Sequence, residues 1–155
     1  MKKQFCTILN GLKSPRNVGM IVRSHVAHGG GELVITGLDQ PWQFKKSSRA
    51  FSRKLENKCH ILHIPDQYDT LKWCAENSYR TVAVEIRECP IFLDQFSFPE
   101  RSAIIVGNEA HGLDAGFMDQ CDHVVTIKQA GDVGSLNVAV SASTAMYEFN
   151  RHRPC

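Results

Sequence analysis

The sequence contains no CxxC pair, no GxGxxG, no GxxxxGKS or GxxxxGKT, and no apolar run near the ~20 residues that cross a bilayer. Its six cysteines, at positions 6, 59, 74, 89, 121 and 155, are scattered without short ligand spacing. That pattern argues against a zinc site and predicts reduced, mostly buried thiols and no bound metal. Without the glycine-rich signatures, ordinary dinucleotide and P-loop phosphate sites lose their main support. The amino-terminal apolar stretch breaks at Asn10 and Gly11, too early for the core of a secretory signal. A cytoplasmic protein with no membrane partner is expected. Charge of neither sign dominates, since 18 Lys and Arg face 16 Asp and Glu for a net of +2. What is present, 155 residues with 43% hydrophobic and 22% charged side chains, predicts a single domain over 1–155 with a real core.

The overall balance conceals a split. Residues 1–60 carry 11 basic and 3 acidic side chains, whereas residues 61–155 carry 7 and 13. The local net of +8 in the first segment predicts a basic face suited to a polyanion such as RNA. Its densest strip runs from Lys45 to Lys58, where Lys45, Lys46, Arg49, Arg53 and Lys54 are interleaved with hydroxyls and opposed only by Glu56. Such groups hold phosphates without reading bases.

Short apolar runs alternate with longer mixed segments. Strands are expected at 4–9, 32–36, 59–64, 80–86, 102–106 and 123–127. Helices are expected over 18–29 with Asn17 as cap, over 66–77, over 114–121 and from about 138 to 150. The basic segment 45–55 reads as a short helix or a loop, and Pro90 to Phe98 is left unassigned. In the last helix Leu136, Val140, Ser143 and Met146 or Tyr147 fall at helical spacing, with Ala139 and Ala142 allowing close approach. Alternation of this kind predicts an α/β fold, a mostly parallel sheet with helices on both faces. Ligands of such sheets lie beyond the carboxyl ends of the strands, where loops 10–17, 107–113 and 128–137 converge.

Three stretches in these loops share a pattern: SPRNVGMIVRSHVAHG (14–29), AIIVGNEAHGL (103–113) and VVTIKQAGDVGSLNVAVSASTAMYEF (124–149). In order and spacing they resemble the SpoU/TrmH family of RNA ribose 2'-O-methyltransferases, within the SPOUT superfamily. The resemblance implies a carboxyl-terminal trefoil knot, S-adenosyl-L-methionine as methyl donor and S-adenosyl-L-homocysteine as product. It further implies a homodimer whose two subunits complete each site, with no separate RNA-binding domain. The substrate expected first is tRNA, whose loops present accessible riboses, and rRNA second. The competing reading is a catalytically silent RNA-binding protein of the same fold.

By the same resemblance Arg23 is the catalytic group, with Asn17, Glu109, Ser135 and Asn137 arranging it or the substrate. A guanidinium, with a pKa above ~12, is a reluctant base, so Arg23 is expected to hold an RNA phosphate and polarise the 2'-hydroxyl. Asn17 and Ser135 read equally as helix caps. The methyl donor is expected to meet Gly107, Ile127, Ser135, Leu136 and a residue at the end of the 80–86 strand, Val84 or Glu85. RNA is assigned to Arg23, Lys45, Lys46, Arg49, Arg53 and Lys54. One departure stands out: the family pattern reads Ile-Pro-Met after the last strand, and this chain reads Ile127-Lys128-Gln129. Lys128 would place a positive charge beside a cationic sulfonium unless it points outward.

Overall fold

A computed structural model of the chain describes residues 3–151; Cys155 lies outside the described residues. Seven strands form one sheet: β1 (Gln4–Asn10), β2 (Glu32–Thr36), β3 (His60–Ile64), β4 (Arg80–Val84), β5 (Ile91–Phe92), β6 (Arg101–Val106) and β7 (His123–Thr126). Their order is β3-β2-β1-β6-β4-β7-β5, and every pairing is parallel. The helices are α1 (Pro15–Ala27), α2 (Lys46–Ser52), α3 (Gln67–Glu76), α4 (Ala115–Asp119) and α5 (Val138–Arg151). No helix among the described residues is long and apolar enough to cross a membrane.

Strand alternation divides the core into two layers. Phe5, Leu9, Leu33, Ile35, Val82, Ile104 and Val106 face one side, where Val18, Ile21 and Val22 of α1 and Ala142, Met146 and Phe149 of α5 pack on them. Cys6, Ile8, Val34, Ala83, Ala103 and Ile105 face the other, against Cys74 of α3 and Phe117 and Met118 of α4. Because both faces are covered, the strands read as nearly continuous apolar runs. Each fully buried Ile or Leu among them contributes about 1.5–3 kcal/mol.

Three local expectations change. Helix α1 begins at Pro15, not residue 18, because Ser14 Oγ accepts the Asn17 N–H at 3.2 Å and proline is pre-set for the first turn. Asn17 is therefore inside the helix and buried, not its cap. At α5 it is Asn137, not Ser135, that caps: its Oδ1 accepts from Ala139 N at 2.8 Å and Val140 N at 3.3 Å. The apolar stripe expected on α5 also divides, since Val140 and Tyr147 are exposed while Ala139, Ala142, Ala145, Met146 and Phe149 are buried. The unassigned stretch after Pro90 contributes the short edge strand β5.

A buried histidine ties the first layer together. His25 of α1 receives Thr7 Oγ1 on Nδ1 at 2.8 Å and presents Nε2 to the Gly31 carbonyl at 3.0 Å. Burial holds its pKa below the ordinary histidine range, so the ring is neutral, with its proton on Nε2.

Candidate active site

The carboxyl ends of β1, β6, β4 and β7 open into one cleft of about 450 Å³, formed by the segments that follow them. The β6 loop is closed by an antiparallel bridge between Asn108 and Gly112. A side chain at Gly107 would collide with the Gly112 carbonyl, and Gly112 has φ of +65°, so both positions need glycine. Asn108 binds the loop to β1 by donating Nδ2–H to the Gly11 carbonyl at 2.8 Å, while its Oδ1 accepts from Ala110 N and His111 N.

Glu109 aims its carboxylate at the start of α1. It accepts from Ser14 N at 2.9 Å and from Lys13 N at 3.2 Å to either oxygen. An anion at that end also suits the helix dipole. Asn17, one turn further on, accepts from Asn137 Nδ2 at 3.1 Å. This bond joins α1 directly to the cap of α5, across 120 residues of sequence. Thus the three motifs are physically linked: loop 107–113 through Glu109 to α1, and α1 through Asn17 to the 127–137 segment.

Asn17, Val84, Gly107, Glu109, Ser135, Leu136 and Asn137 all line this cleft. Ile127 lines a small neighbouring hollow of about 60 Å³ that shares Val84, Ser135 and Leu136 with the cleft. Arg23 does not join them. It is exposed on α1, and borders a separate groove of about 520 Å³ with Met20, Phe51, Val140 and Thr144. Lys45, Lys46 and Arg49 are exposed at the start of and along α2, and Arg53 and Lys54 follow it with left-handed backbone, also exposed. Arg49 is paired to Glu56 at 3.4 Å. Lys128 turns away from the cleft, its ammonium 5.7 Å from the centre of the Phe92 ring.

One residue of the cleft was named only as an alternative to Val84. The Glu85 carboxylate accepts from Leu113 N at 3.0 Å and from Ile86 N at 2.9 Å, fastening the β6 loop to the end of β4. Its carbonyl accepts from Thr126 Oγ1 at 2.7 Å, which adds β7 to the same junction. A carboxylate directly after the apolar run Val82-Ala83-Val84 that ends β4 is the signal that could have found it. With Glu109 it makes the cleft anionic, for no lysine or arginine lines it.

A parallel sheet with a cleft at its carboxyl edge, built from three interlinked loops, is the arrangement in which α/β domains hold small ligands. The chain belongs to the SpoU rRNA Methylase family, whose model matches residues 4–147. It is 31% identical over 146 residues to the 23S rRNA (uridine(2479)-2'-O)-methyltransferase of Streptomyces viridochromogenes, covering 90% of this chain and 50% of the relative. Over 151 residues it is 27% identical to the 23S rRNA (guanosine-2'-O-)-methyltransferase RlmB of Salmonella typhi, covering 97% and 61%. The chain thus spans between half and two thirds of these relatives' length. The structure of the SpoU methyltransferase AviRb from Streptomyces viridochromogenes in complex with the cofactor AdoMet superposes with a TM-score of 0.86 at 25% identity, covering 97% of this chain and 58% of that one. An AdoMet-bound rRNA methyltransferase from Sinorhizobium meliloti gives a TM-score of 0.90 at 20% identity, over 100% and 59%. Membership implies the carboxyl-terminal trefoil knot; in the sheet, β6 lies between β1 and β4, and β4 between β6 and β7.

Proposed function

We propose that the chain transfers a methyl group from S-adenosyl-L-methionine to a ribose 2'-hydroxyl of RNA, releasing S-adenosyl-L-homocysteine. The observation that carries this reading is the meeting of Asn17, Gly107, Glu109, Ser135 and Asn137 around one cleft lined by two carboxylates and by no lysine or arginine. The residues fit the donor: carboxylates and amides serve its zwitterionic end, and the aliphatic side chains Val84, Ile86 and Leu136 offer apolar contact to its base. When bound, the donor supplies an electrophilic methyl on a sulfonium centre.

The protein's part is orientation and charge. Glu85 and Glu109 provide negative potential for a cation and keep the glycine loop in place. Asn17 and Asn137 set the spacing between α1 and α5 at the mouth of the cleft. Arg23 binds a phosphate next to the target ribose and polarises the 2'-hydroxyl, and Ser135 lies on the cleft wall to align it. Within one chain Arg23 opens on a different groove, so a second copy is needed to bring its guanidinium to the cleft. The exposed apolar side chains Val140 and Tyr147 on α5 and Phe51 on α2 support a homodimer through this face. RNA phosphates then lie along Lys45, Lys46, Arg49, Arg53 and Lys54, in the cytoplasm where the substrate RNAs reside.

Transfer RNA is the first substrate to test and ribosomal RNA, named in the relatives, the second. The test is calorimetric titration with S-adenosyl-L-methionine, then incubation with each RNA, nuclease digestion and mass spectrometry for 2'-O-methylated nucleosides. Micromolar donor binding and a single methylated position are expected. Absence of donor binding sinks the enzyme reading, and donor-independent, salt-sensitive RNA binding with no methylation would favour the silent alternative.

A further inference from the structure

A separate hollow of about 420 Å³ lies outside the cleft, between the loop that follows β2 and the starts of α1 and α2. That volume is in the range of small-ligand sites. The hollow sits on the same carboxyl edge of the sheet as the cleft. Gly11 N–H donates to the Thr36 carbonyl at 2.8 Å, tying the end of β1 to the end of β2, while the Gly11 carbonyl accepts from Asn108 of the cleft loop at 2.8 Å. The first turn of α1 stands between the two spaces, for Pro15 borders the hollow and Asn17 borders the cleft.

Pro15, Leu38, Pro41 and Trp42 give the hollow its apolar walls. Trp42 is half-buried: with Leu38 and Phe44 it packs against the first core layer, and it also lines the hollow. Its Nε1 is shielded from solvent, so the ring meets an occupant through carbon and not through a hydrogen bond. Asp39, Gln40 and Gln43 are exposed on the lining, and their side chains have no hydrogen-bond partner among the described residues. They can accept from and donate to the edge of a planar heterocycle. Lys45 also lines the hollow and Lys46 follows it on α2, both exposed. The Asp39 carboxylate repels a phosphate, which leaves the hollow to a base and the phosphates to the lysines. An aromatic wall beside a line of cations is how single strands are held, whereas a duplex keeps its bases stacked and out of reach.

We propose that this hollow is a base-binding pocket for single-stranded RNA: it takes the base of an unpaired nucleotide near the methylated one against Trp42, with the adjoining phosphates on Lys45 and Lys46. The assignment rests on reading the chain as an enzyme that acts on RNA. It is tested without methyl transfer, on the full chain, with a short labelled single-stranded RNA and the same ribose-phosphate strand lacking bases. Affinities are read from the anisotropy of the label. Wild-type protein should bind the RNA about 5- to 100-fold more tightly than the abasic strand. Trp42→Leu keeps apolar contact with the core but has no aromatic face, and should bring that ratio below about 3-fold, whereas Trp42→Phe should keep most of it. Lys45→Ala should weaken both strands alike and flatten their salt dependence. In Trp73→Phe, where Trp42 is the remaining tryptophan, emission should fall on adding the RNA and hold level with the abasic strand. Unchanged discrimination in Trp42→Leu overturns the assignment, as does Trp42 emission indifferent to the RNA. Adenosine monophosphate bound as tightly as the strand would make the hollow a free-nucleotide site and overturn it too. Wild-type protein that binds both strands equally overturns the base pocket alone, whereas protein that binds neither at low salt overturns the RNA reading as well.

Discussion

Gly19 sits in the middle of α1 where α2 crosses it. A Cβ there would run into the Ser48 carbonyl oxygen and come within 2.9 Å of Phe51 Cβ and 3.0 Å of Ser52 N. In an open helix, glycine to alanine stabilises by about 1 kcal/mol. Here two of the three obstructing atoms are main chain of another helix, so the methyl group must displace α2 as a body. Overpacking of that kind costs about 1–3 kcal/mol. The balance predicts that Gly19→Ala loses about 1 kcal/mol, a fall in Tm of about 2–4 °C for a chain of this length. The shift has a functional direction as well. Helix α2 holds Lys46 and Arg49, with Lys45 just before it, so RNA association at low salt should weaken. Binding of S-adenosyl-L-methionine, made by other elements, should be unchanged. Gly131 is the control, because a Cβ there meets nothing within 4 Å. Gly131→Ala should leave stability equal or raise it by up to about 1 kcal/mol through the unfolded state. Scanning calorimetry reads both variants, and a Gly19→Ala protein melting above wild type would refute the close approach of α1 and α2.

Arg23→Ala should preserve folding and methyl-donor affinity while transfer to RNA collapses by at least about 100-fold; near-parental turnover in a labelled-methyl assay would remove Arg23 from the catalytic role. Asn137→Ala should lose about 1 kcal/mol from the α5 cap, whereas Asn137→Ser restores the cap but not the bond to Asn17, so thermal melts and donor binding should separate the two roles. For His25 the folded-state pKa is depressed by burial, so the unfolded chain binds more protons in mild acid. Its contribution is complete above the ordinary histidine pKa of about 6.5 and is lost as pH falls below it. Half-exposed His28, also depressed by burial, adds in the same direction. Melting temperature measured from pH 7.5 to 5.5 should therefore decline, and a flat profile would contradict a neutral buried His25.

The strand and helix frame was legible because parallel strands buried on both faces leave long apolar runs, as in SAIIV, and because Gly and Pro punctuate them. Helix ends were less legible. Asn17 has the chemistry of a cap, yet Ser14-Pro15 outcompetes it, since a serine oxygen followed by proline starts a helix three residues earlier. Ser135 also has the chemistry of a cap, yet the turn geometry gives that place to Asn137.

The candidate site divides in the same way. Local sequence alone marked the loops that form the candidate site: the glycines at 107 and 112, the carboxylate between them, and the Ser-Leu-Asn run before the last helix. Only the folded chain decided which of these residues touch, because their contacts bridge separations such as the 95 residues from Ser14 to Glu109 and the 120 from Asn17 to Asn137. It also turned Lys128 outward, left Gln129 with an unpaired oxygen and set Arg23 outside the cleft. Side-chain direction at these positions is a consequence of packing between elements remote in sequence, and no local pattern encodes it.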